Sequence, residues 1–83
     1  MAKRVGKRFM LIAIMLQVAR QMKQEGWGDK PHGEALAEFT RRVVAAAQKA
    51  GLDLDEIIDL IEQLLPLIEA ILEIILGLFA DKA

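Results

Sequence analysis

The stretch from Ile57 to Ala80 constrains this chain more than any other. It carries fifteen large apolar side chains and no Lys or Arg. Its polar positions are Asp59, Glu62, Gln63, Pro66, Glu69 and Glu73. At about 100° per residue they fall within an arc of roughly 120°, and every Ile, Leu and Phe lies outside it. A surface helix normally buries an apolar stripe not much wider than about 100°. Here the apolar arc approaches about 200°, more than a short chain covers with its own residues. Association is therefore expected, with other protomers or with lipid.

The rest of the sequence points to an all-α fold. Ala, Leu, Ile, Glu, Lys, Arg, Gln and Met dominate, which is a helix-forming vocabulary. No period-2 run and no hairpin turn signals a strand. The 83 residues are expected to form a single helical domain, 1–83. Three helical segments are expected, at about 3–25, 32–50 and 54–80, with loops at about 26–32 and 51–53.

The first segment is apolar on all sides between Phe9 and Leu16. The joint after it reads Gly26-Trp27-Gly28-Asp29-Lys30-Pro31-His32-Gly33, a loop rich in breakers. Asp29 is expected to cap the second helix, Pro31 to occupy its first turn, and His32 to be a solvated loop residue. Trp27 is expected to fold back over the end of the bundle.

On the second helix, Ala35, Leu36, Phe39, Val43, Ala46, Ala47 and Ala50 share one face. Glu38 precedes Arg41 and Arg42 by three and four residues, the spacing of same-face ion pairs. Gly51 suits a left-handed helix end. Asp53 and Glu56 match a capping box, with Leu52 and Ile57 at the spacing of a hydrophobic staple. So short a joint predicts an antiparallel hairpin of the second and third helices. Pro66 removes the hydrogen bond to the Glu62 carbonyl, and a single kinked third helix is expected, with two shorter helices as the alternative.

Catalytic chemistry finds few parts. Ser, Cys, Asn and Tyr are absent, and the chain holds one Thr and one His. The acidic pairs Asp59/Glu62 and Glu69/Glu73 share a helix face, but no Glu-x-x-His pattern accompanies them, and they read as a solvated face. The glycines match no phosphate-binding pattern. No enzyme activity, metal or cofactor is expected. Lys3, Arg4, Lys7 and Arg8 form a basic cluster without interleaved aromatics beyond Phe9, which argues against nucleic acid. That cluster and the apolar run behind it have the form of a signal peptide, but Gln17 is a poor residue three before a cleavage after Ala19. The absence of cysteine fits a reducing compartment, so a cytoplasmic location is favoured.

Three functional readings follow. The first is a soluble, non-catalytic assembly protein: a helical bundle that forms homo-oligomers, or joins a helical protein partner. Its core and interface comprise Leu11, Met15, Ile57, Ile61, Leu64, Leu65, Ile68, Leu72, Ile75 and Phe79. The second is a small membrane protein in which the third helix spans the bilayer as an oligomer, its acidic stripe facing water. Fifteen Leu, Ile and Phe residues contribute roughly −5 to −9 kcal/mol to insertion, and the buried acids cost about as much. The third is an accessory subunit of a larger particle, bound through the same apolar arc.

Charge divides the chain. Residues 1–49 carry ten basic and four acidic side chains, while residues 50–83 carry one and eight. Lys7, Arg20, Arg41 and Arg42 are accordingly expected near Asp59, Glu62, Glu69 and Glu73, within a chain or between chains.

Overall fold

Four α-helices and one 3-10 turn make up the computed structural model, which describes the backbone of residues 2–77 and the side chains of residues 6–77. Helix α1 spans Ala2–Gln24, α2 His32–Lys49, α3 Leu54–Gln63 and α4 Leu65–Leu76, and the 3-10 turn covers Trp27–Asp29 between α1 and α2. Among the described residues there is no strand. Helix α1 organises the packing. It lies against both α2 and α4, while α3 rests on α2.

The core follows the helical period. Leu11, Met15, Val18, Ala19 and Met22 of α1 are buried, as are Ala35, Phe39, Val43 and Ala47 of α2. Leu52, Ile57, Ile68, Ile71, Leu72 and Leu76 complete it, and no polar side chain is buried among the described residues. The protein measures 44 × 21 × 18 Å. Its narrow dimensions equal about two helix diameters, so every helix keeps one side at the surface.

The joint between α2 and α3 forms as the local signals predict. Gly51 takes φ 105°. The Leu52 N–H donates to the Ala47 carbonyl at 3.1 Å and the Gly51 N–H to Gln48 at 3.0 Å. This crossed pair is a Schellman ending, and its hydrophobic member Leu52 is buried. The Asp53 N–H then donates to Glu56 Oε1 at 3.3 Å, the return half of a capping box.

Three expectations are corrected. The third segment is not one kinked helix. It divides at Leu64, whose φ of −102° and ψ of 12° interrupt the helical path. Pro66 has no N–H for the Glu62 carbonyl, and its ring would crowd that carbonyl. The chain closes α3 with the Leu64 N–H shared between Leu60 and Ile61, at 2.9 and 3.1 Å. It restarts with the Ile68 N–H on Leu64 at 2.9 Å, leaving Pro66 in a first turn where no donor is needed. The helix also ends before Ala80, because Gly77 adopts φ 73° and terminates α4 at Leu76. The expected helical residues beyond Gly77 lie outside the described residues. Finally, Asp29 belongs to the 3-10 turn and Pro31 takes the position before α2, with no side-chain cap.

Trp27 does close one end of the bundle. It is half-buried against the core, its Nε1 donates to Glu25 Oε1 at 3.1 Å, and Lys30 Nζ lies 5.6 Å from the ring centre. Beside it, Gly28 approaches the end of α4 so closely that an added Cβ would sit 2.8 Å from the Leu76 carbonyl oxygen.

Gly28→Ala should therefore destabilise by about 1–3 kcal/mol, since a backbone atom must move. Gly33→Ala, inside α2 with nothing within 4 Å of the new Cβ, should stabilise by about 0.5–1 kcal/mol. Urea unfolding of the two variants checks the opposite signs, and equal midpoints would refute the close approach. Phe39 is fully buried, and Phe39→Ala should cost about 3–5 kcal/mol, visible as a large fall in Tm.

Candidate assembly surfaces

Among the described residues six large apolar side chains are exposed: Phe9 and Met10 on α1, Leu54 and Ile58 on α3, and Leu65 and Ile74 on α4. Each follows from helical geometry. At about 100° per residue, Phe9 lies roughly opposite the buried face of Leu11, Met15 and Met22. Because α1 is apolar all round here, the side turned from the core is apolar as well, and Phe9 is 64 % exposed. On α3, Leu54, Ile58 and the half-buried Ile61 repeat at four and seven residues and form one stripe. Leu65 follows it across the break. Ile74 points away from Ile68, Leu72 and Leu76 and is 79 % exposed.

The residues expected at an interface divide accordingly. Leu11, Met15, Ile57, Ile68 and Leu72 are buried in the core of the single chain. Ile61, Leu64 and Ile75 are half-buried at the margin of the core. Leu65 is exposed. Phe79 lies outside the described residues. Phe9, Met10, Leu54, Ile58 and Ile74 are surface residues that the sequence reading did not single out. Their signal was the excess width of the apolar arcs, which says that some residues stay outside without saying which.

Lys7, Arg41 and Arg42 find acidic partners, though not in the polar stripe of the third segment. Arg42 bridges two carboxylates, through Nη2 to Glu25 Oε1 at 2.7 Å and through Nε to Glu38 Oε2 at 2.6 Å. Arg41 adds Nη2 to the same Glu38 oxygen at 2.6 Å, as the three- and four-residue spacing predicts. Lys7 pairs with Glu56 at the start of α3. Arg8 donates to Gln63 Oε1 at 2.9 Å, and Gln63 Nε2 donates to Asp59 Oδ2 at 3.3 Å. Within the chain, none of Lys7, Arg20, Arg41 and Arg42 forms an ion pair with Asp59, Glu62, Glu69 or Glu73 among the described residues. Among the described residues Glu69 is the one of these four acids that meets an ionisable partner, with its Oε1 3.7 Å from His32 Nε2. His32 is thus the half-buried first residue of α2, where a solvated loop residue was expected.

These pairs shift protonation. Hydrogen bonds from Arg42, Arg41 and Lys7 hold the carboxyls of Glu25, Glu38 and Glu56, respectively, below their ordinary range. Arg42 in turn is held more firmly protonated. Among the described residues no group of three or more His, Cys, Asp or Glu side chains converges as a metal site would require. A cleft of about 370 Å³ is lined by Lys7, Arg8, Glu56, Asp59, Leu60 and Gln63, and its polar groups are largely paired with one another. Compared with family models, curated proteins and solved structures, the chain matches none of them.

A carboxyl whose folded pKa lies below its unfolded value supports folding above that unfolded value and loses the contribution as pH falls through the folded one. Stability should therefore decline as pH drops below about 4.5, the unperturbed value of these glutamates. Arg42→Met should flatten that decline, because Glu25 and Glu38 lose the partner they share. Urea midpoints followed from neutral pH through the carboxylate range provide the measurement. Parallel slopes for the two proteins would count against the assignment.

Proposed function

We propose that this chain is a non-catalytic helical assembly protein that associates with copies of itself through apolar surface on α1, α3 and α4. The observation that carries this reading is the exposure of Phe9, Met10, Leu54, Ile58, Leu65 and Ile74, between 40 and 79 % each. A single exposed leucine needs no explanation, but regularly spaced apolar residues on a domain this small favour a contact surface. Full burial of a Leu, Ile or Phe side chain is worth about 1.5–3 kcal/mol. Small domains are marginal on their own, and association offers the missing burial.

The break at Leu64 bears on the alternatives. It divides the apolar segment into helices of 10 and 12 residues. At 1.5 Å per residue these reach about 15 and 18 Å, against about 30 Å for a bilayer core. Among the described residues no helix is long and apolar enough to cross a membrane. A spanning arrangement would require α3 and α4 to rejoin across Pro66. Docking of this chain as an accessory subunit would use the same exposed residues, and native mass spectrometry of material from its source separates that case by showing a second component.

At micromolar concentration in detergent-free buffer, light scattering should report a mass above the 9.2 kDa of one chain. A clean protomer mass would defeat the proposal. If charge contributes to the contact, the oligomer should loosen as salt approaches 1 M, where the Debye length is about 3 Å.

A further inference from the structure

The charges are sorted by helix. Helix α1 carries six basic and no acidic side chains over Ala2–Gln24. Helices α3 and α4 together carry six acidic and no basic ones. Some of this opposition is used inside the protomer, where Lys7 meets Glu56. Other cations of α1 lie on its outward side. Beyond Phe9, Ala13 and Leu16, the same side continues into Arg20 and Lys23, neither of which has an ion-pair partner among the described residues. On α4, Glu73 adjoins the exposed Ile74 and likewise has no partner among the described residues. One surface is therefore apolar with a basic continuation, and the other apolar with an acidic one. Helices α1 and α4 pack against each other, and Phe9 and Ile74 each point away from the buried face of their own helix, which directs them away from each other.

Self-association can place like surfaces together or unlike ones. Two α1 surfaces would set cations against cations, and two α4 surfaces acids against acids, and such juxtapositions oppose docking. The outward side of α1 on the outward side of α4 brings opposite charge together around apolar centres. Resting on the self-association proposed above, we infer that the copies join head to tail, the Phe9 side of α1 in one protomer seating on the Ile74 side of α4 in the next. A contact of this kind uses two different patches on each subunit. It closes into a ring or extends as a filament, and does not form a two-fold dimer.

Two variants test this directly, because both altered residues are exposed and neither change disturbs the core. Phe9→Glu blocks one surface and Ile74→Glu blocks the other, and circular dichroism confirms that each keeps its helix content. Each variant alone should have the protomer mass. Mixed in equal amounts they should form a 1:1 complex of twice the 9.2 kDa chain mass and grow no further, since one intact surface of each kind remains. A two-fold contact through α1 would instead leave Ile74→Glu at the wild-type size, and one through α4 would leave Phe9→Glu so. Either result overturns the head-to-tail contact, as does a mixture that stays at the protomer mass or grows past 1:1. In those cases self-association itself stands if the unaltered protein is oligomeric. An unaltered protein that is monomeric defeats both.

Discussion

Everything in this fold depends on α1 being packed on two sides at once. It meets α2 across one part of its apolar surface and α4 across another, with α2 and α3 joined by their own short turn. The residues it buries, Leu11, Met15, Val18, Ala19 and Met22, fall within one arc of roughly 100°, and the apolar girth of α1 extends beyond it. The cost is visible on the same helix. A protein 21 × 18 Å across has no third neighbour to offer, so Phe9 and Met10 face outward. Burial inside and exposure outside thus share one cause, the width of the apolar arc relative to the number of helices available to cover it.

Much of the fold was legible where the signal is local. The Schellman ending at Gly51, the capping box of Asp53 and Glu56, and the Glu38 pairs with Arg41 and Arg42 depend on residues within a few positions of one another. The proline break was half legible. A missing N–H at Pro66 predicts a disturbed helix, but whether the chain bends or restarts depends on how α4 docks against α1. Gly77 looked innocuous in an apolar run and proved to be a helix end, because its freedom to adopt positive φ outweighed the pattern around it. Asp29 lost its capping role to a 3-10 turn that seats Trp27 and Gly28 against the rest of the protein, a tertiary demand that local propensity does not register.

The surfaces were legible in amount and not in identity. Counting apolar side chains shows that several must stay outside, but the selection depends on which pairs of helices meet. Charge behaves in the same way. The opposition of the two halves is plain in the sequence, but within the chain the arginines of α2 turn to Glu25, just after α1, and to Glu38 on α2 itself. Glu73, next to Ile74, has no ion-pair partner among the described residues, so the sorted charge is not fully used within the chain.

The division at Leu64 also distributes stability unevenly. Helix α4 buries Ile68, Ile71, Leu72 and Leu76, whereas α3 buries Ile57 alone. A ten-residue helix is too short to persist by itself in water, and little apolar contact ties this one down. Helix α3 is therefore the segment whose opening breaks the least, with Leu64 as the pivot and the α1–α4 contact left whole. Backbone amides in α3 should accordingly belong to a separate, faster-exchanging unit than those of the helix that follows.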